Sequence, residues 1–108
     1  MDYDKLRITD WAMEDRPRER LMAQGAAALS NAELLAILIG SGTPRMTAVE
    51  LMKLLLHDCN DNLNTLGKKS LADLMAYKGI GEAKAVAIMA ACELGKRRQR
   101  EKAEERPN

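Results

Sequence analysis

Phenylalanine is absent from this 108-residue chain, and Tyr3, Trp11 and Tyr77 are its only aromatic residues. Ile, Val and Thr together number only 11. Sheets draw on these residue types to fill pleated, half-buried surfaces, so an all-β or doubly wound fold is disfavoured. Cysteine and histidine are equally scarce. Cys59 and Cys92 lie 33 residues apart with no CxxC, and His57 is the sole histidine. Neither a disulfide framework nor a Cys/His zinc site can be drawn from them, and a reducing cytoplasm is the expected setting. No apolar run approaches the roughly 18 residues of a membrane span, and Asp2 and Asp4 open the chain where a secretory signal would need an apolar segment. A charge of one sign is missing too. Seventeen basic side chains against 16 acidic ones leave a formal charge of +1, which by itself names no partner.

What the chain has in quantity is Ala, Leu and Met, at 16, 15 and 7 residues. These are strong helix formers, and the length suits one compact domain, so an all-α domain is predicted. Punctuation divides it. Asp15-Arg16-Pro17 signals a helix start and Gly25 a stop, giving a first helix over about 16–24. Ser30-Asn31-Ala32-Glu33 and Thr47-Ala48-Val49-Glu50 are capping boxes, in which a hydroxyl and a carboxylate three residues on satisfy each other's backbone N–H. They open helices that end at Gly40 and near Asp58. One helical turn is predicted over 63–66 in a turn-rich connection. Ser70-Leu71-Ala72-Asp73 caps a short helix to Tyr77, and after Gly79-Ile80-Gly81 a long Ala-rich helix starts at Glu82 and reaches at least Arg98.

The caps reveal an internal repeat. Ser30 to Ala36 aligns with Ser70 to Ala76 at an offset of 40, a Gly-x-Gly turn follows each copy, and Ala48-Val49 corresponds to Ala85-Val86. Each copy reads as helix, Gly-x-Gly turn, helix.

Lys78-Gly79-Ile80-Gly81-Glu82-Ala83-Lys84-Ala85 is the sharpest motif. Two glycines allow a tight turn with positive φ and a close approach of another backbone, while Ile80 between them is placed to anchor the turn in the groove between its helices. The N–H groups at the start of the next helix, together with its macrodipole, then form a site for a phosphate that ignores base sequence. Lys78 and Lys84 flank the turn, and residues 68–84 hold four Lys against Asp73 and Glu82. Glu82 opposes the reading, since a carboxylate there repels a phosphate. The same turn could instead close a helical hairpin or dock a protein. The first copy is weaker: Ser41 replaces the apolar anchor, two extra residues lengthen the turn, and Arg45 is its only nearby cation.

This arrangement resembles a helix-hairpin-helix motif, and its duplication resembles the five-helix double helix-hairpin-helix bundle, a small helical domain of the SAM and RuvA C-terminal kind. A longer resemblance is carried by Ile8-Thr9-Asp10-Trp11, Asp15-Arg16-Pro17-Arg18-Glu19-Arg20-Leu21, the run from Leu29-Ser30-Asn31 to Ile39, and Lys78 to Ala85. Together these are similar to the N-terminal region of bacterial RadC proteins over about residues 7–107. Ala12 stands where many relatives have Pro. The resemblance implies a DNA-repair or recombination role with non-sequence-specific DNA as partner. It implies phosphate contacts at Lys78, Gly79, Ile80, Gly81, Ala83 and Lys84, with Arg45 from the first turn. It also implies a C-terminal JAB/MPN-type domain whose zinc-site ligands this chain does not contain. Residues 1–95 are thus expected to form the helical domain and 96–108 a charged helix end and linker. In some similar motifs a potassium or sodium ion sits at the hairpin carbonyls; no other cofactor or metal is implied.

The remaining candidates read as structure. Lys96-Arg97-Arg98-Gln99-Arg100 suits a solvated helix end, where cations complement the dipole. Arg16, Arg18 and Arg20 interleave with Glu14, Asp15 and Glu19, which predicts local ion pairs. Met13, Met22, Met46, Met52, Met75 and Met89 fall at apolar helical positions or turns and are predicted to be core, with Trp11 covering the first helix. His57-Asp58-Cys59 are adjacent on one helix and cannot form a triad, so no nucleophile and base emerge and the domain is expected not to be an enzyme. A protein-docking module is the alternative, and a small lyase using the Lys84 amine a weaker third.

Overall fold

The computed structural model describes residues 16–101, so Trp11, Met13 and the expected linker beyond residue 101 lie outside the described residues. Six α-helices and one 3₁₀ turn make up the described residues, with no strand among them: α1 Pro17–Gln24, the 3₁₀ turn Ala26–Ala28, α2 Asn31–Ile39, α3 Ala48–Asp58, α4 Leu63–Gly67, α5 Leu71–Met75 and α6 Glu82–Glu101. Five helices and one helical turn over 63–66 were expected; that turn is α4, which forms because the Asn62 side chain accepts from the N–H groups of Asn64 and Thr65.

Caps set the boundaries. Ser30, Thr47 and Ser70 each accept the N–H three residues on, while Glu33, Glu50 and Asp73 accept the cap residue's own N–H. Acceptance of the Ser30 N–H is the main reason Glu33 is held below the usual carboxylate range, and the Ser70 N–H does the same for Asp73. Gly25 ends α1 at φ +87° with its N–H on Leu21 O, and Gly40 ends α2 at φ +78° with its N–H on Ala36 O.

Helix α2 is the hub. It packs against α1, α3 and α6, while α6 also meets α4 and α5. The core is aliphatic, built from Leu35, Ala36 and Ile39 of α2, Leu51, Met52, Leu55 and Leu56 of α3, and Leu66, Leu74, Ile80, Ala85 and Ile88 around α6. No polar or charged residue is buried with them among the described residues. Such a core rests on aliphatic area removed from water, at roughly 25 cal/mol per Å².

Three expectations change. Met52 is buried and Met46 packs against the core, but Met22, Met75 and Met89 are exposed, since short helices and the outer side of α6 leave one face uncovered. Arg20 does not pair with its sequence neighbours: it pairs with the Glu33 carboxylate and donates to Ala28 O at 2.9 Å, tying α1 to the cap of α2. The repeat also departs from symmetry. Val49 is 8% exposed and its counterpart Val86 is 50% exposed, because Val49 lies within the buried core and Val86 falls on the outer side of α6.

Candidate functional site

Two helix pairs, α2 with α3 and α5 with α6, each enclose a Gly-x-Gly turn. The first connection runs over residues 40–47 and the second over 76–81, two residues shorter.

The second turn begins where Tyr77 leaves α5. Its hydroxyl donates to the Asp58 carboxylate at the end of α3, and this bond is the main reason the phenol is pushed up to about 12. Sequence reading missed this pair, since nothing local links positions 58 and 77. The N–H of Ile80 donates to Tyr77 O at 3.0 Å, and the Ile80 side chain is buried as expected of an anchor. Gly79 has φ +98°, and a Cβ there would lie 2.3 Å from Thr43 Cγ2 of the first turn. Only this first glycine needs positive φ; Gly81 does not. A Cβ on Gly81 would meet nothing within 4 Å. Helix α6 follows at once, with Ala85 buried against its neighbours and its N–H on Gly81 O at 3.0 Å.

The N-terminus of α6 is therefore unlike those of α2, α3, α4 and α5. Each of those is capped by the Ser, Thr or Asn side chain before it. Glycine precedes α6, and no side chain among the described residues accepts from the N–H of Glu82, Ala83 or Lys84. Those are the first three N–H groups of a 20-residue helix, which helical geometry leaves without an internal acceptor.

The proposed side chains are placed unequally. Lys78 and Arg45 are exposed. Lys84 is half-buried, and its ammonium donates to Ser41 O at 2.7 Å and Gly79 O at 3.3 Å, one carbonyl from each turn. Glu82 is exposed beside the α6 N-terminus. In the first turn, Thr43 Oγ1 accepts from the N–H groups of Arg45 and Met46, and Thr47 with Glu50 occupies the start of α3.

Elsewhere the described residues hold no group of three His, Cys, Asp or Glu able to bind a metal ion, and no helix long and apolar enough to cross a membrane. Both thiols are pushed up by burial, which disfavours the thiolate. His57 and Asp58 finish α3, and Cys59 follows as its cap, as read from the sequence. Arg97 pairs with Glu93 at 2.9 Å, within the solvated end of α6.

These features define an all-helical domain with two Gly-x-Gly helix pairs, one of which presents an open helix N-terminus. Its residues 8–86 match the family model described as UPF0758 N-terminal, and the chain belongs to the UPF0758 family. It is 52% identical over 101 residues to a UPF0758 protein of Flavobacterium johnsoniae, covering 94% of this chain and 44% of that one. Identity to the UPF0758 protein of Dechloromonas aromatica is 50% over 90 residues, covering 83% and 40% of the two chains. For Alkaliphilus oremlandii it is 43% over 95 residues, covering 88% and 41%. The chain thus spans about two-fifths of the length of these curated relatives. No solved structure matches it.

Proposed function

We propose that this domain binds the DNA sugar-phosphate backbone without sequence preference, as the double helix-hairpin-helix portion of a RadC-like repair or recombination protein. One observation carries the reading: the long helix α6 starts behind a glycine, without a side-chain cap, while α2, α3, α4 and α5 are each capped and the uncapped α1 has a proline in its first turn. A phosphate oxygen can accept from the N–H groups of Glu82, Ala83 and Lys84, where the helix dipole favours negative charge. Gly81 supports this, because it has neither a positive φ nor a neighbour that would exclude a side chain. The fold gives no internal reason for a glycine there, whereas a close external backbone does. Gly79 and Ile80 shape the turn, and Lys78 and Arg45 supply exposed positive charge. The domain alone binds without turnover, and a C-terminal JAB/MPN-type domain would accompany it in the whole protein.

Glu82 beside this N-terminus and the exposed Val86 favour a second reading, in which the same turn docks a protein. Titration of labelled duplex and single-stranded DNA at several salt concentrations separates the two. A linear fall of log affinity with log salt, equal for unrelated sequences, and loss of binding in a folded Gly81→Val variant are expected. Undiminished binding by folded Gly81→Val would remove the turn from the DNA site and put docking first.

A further inference from the structure

The Lys84 ammonium is held by two backbone carbonyls that belong to different turns, Ser41 O at 2.7 Å and Gly79 O at 3.3 Å. Forty-three residues of sequence separate Ser41 from Lys84, so the first of these bonds is a tertiary tie. The turns also touch beside it, since the space where Gly79 would carry a Cβ is filled by Thr43 Cγ2 at 2.3 Å. A lysine on the first turn of α6 would ordinarily be counted as a free cation for an incoming phosphate. Here two of its three N–H donors are directed at protein oxygens.

We propose that the Lys84 ammonium is a positioning group and not a phosphate ligand: it locks the first Gly-x-Gly turn onto the second and so fixes the angle at which the α6 N–H groups meet a ligand. The first hairpin then takes part in binding through a tie within the protein, apart from the charge that Arg45 supplies. Its carbonyl at Ser41 holds the lysine that holds the working turn. The inference rests on the phosphate-binding reading for its functional half; its structural half stands alone.

The two roles differ in what salt does. A lysine that neutralises a phosphate releases counterions, so its removal lowers the salt slope of binding by about one unit. A positioning lysine changes affinity and leaves the slope in place. For Lys84→Met the expected result is a loss of about tenfold in DNA affinity with the slope unchanged. The carbonyl ¹³C signals of Ser41 and Gly79 should both move, and Lys84→Arg, which keeps a multi-donor cation, should recover part of the affinity. A slope lower by one unit with both carbonyl signals in place would overturn the proposal and make the amine a phosphate ligand. Should Lys84→Met fail to fold, the wild-type protein decides: a coupling from the Lys84 ammonium to the Ser41 carbonyl carbon is expected, and a freely rotating, fully hydrated ammonium would refute the tie. If the wild type binds no DNA, these carbonyl and ammonium signals still test the tie, and only the phosphate-binding reading fails.

Discussion

Gly42 and Gly81 hold the same place in two helix-turn-helix pairs, yet a methyl group at Gly42 would lie 2.1 Å from Met46 O, whereas one at Gly81 would meet nothing within 4 Å. The first glycines of the two turns agree better, both having positive φ, at +78° for Gly40 and +98° for Gly79. The turns thus share an entry and differ at the exit. In the first, the chain folds back on itself through Thr43 N to Met46 O, and the next helix is capped by Thr47. In the second, the chain passes from Gly81 straight into α6. One copy has spent its glycine on its own backbone; the other keeps that space open. A repeat visible in sequence therefore need not repeat a function, because whether a helix N-terminus is satisfied internally depends on one residue before it.

The largest effect that would break this comparison is expected at Gly42. Gly42→Ala drives Cβ into backbone atoms that cannot move aside, and urea denaturation should show a loss of about 3 kcal/mol. Gly81→Ala should stay within about 1 kcal/mol of wild type in the same measurement. Equal losses at the two positions would erase the asymmetry. Thr47→Ala comes next, at about 1 kcal/mol of stability, because it removes the cap that occupies the first copy's helix start.

Alkaline titration probes the support of the second turn. The folded Tyr77 phenol is raised from 10 to about 12 chiefly by its bond to Asp58. A raised folded value means the stabilisation is complete below pH 10 and is lost as pH rises through 12. Tyr77→Phe should abolish that part of the alkaline decline in urea denaturation across pH, while phenolate absorbance of a Tyr3→Phe protein, whose one tyrosine is Tyr77, should report the raised titration directly. Acid works in the opposite sense on the caps. Glu33 is lowered from 4.5, so its contribution is present above that value and fades as pH falls below it. The smallest expected effect is at Glu82. Glu82→Gln removes a carboxylate beside the open N-terminus and should tighten DNA binding about threefold at low salt. A protein partner gives no reason for that gain.

Much of the fold was legible because its signals are local. Ser30 with Glu33, Thr47 with Glu50 and Ser70 with Asp73 name their helices within four residues, and the structure places all three boxes as read. Ile80 between two glycines also announced itself as an anchor. Less legible was the outcome for Met75 and Met89, which carry the same apolar character as Met52 and differ only in what lies opposite. The pairings of Arg20 with Glu33 and of Tyr77 with Asp58 span 13 and 19 residues, beyond any helical period.

The sequence alone determined that the described residues are helical, where most helices start and stop, and that two Gly-x-Gly turns recur, since propensity, capping and glycine placement act over a few residues at most. Tertiary structure decided which turn is closed and which is open, that Val49 is covered while Val86 is not, and that the Lys84 ammonium reaches Ser41 across the bundle. Each of those depends on which surfaces meet after the helices pack, and short-range patterns carry no information about a neighbour forty residues away.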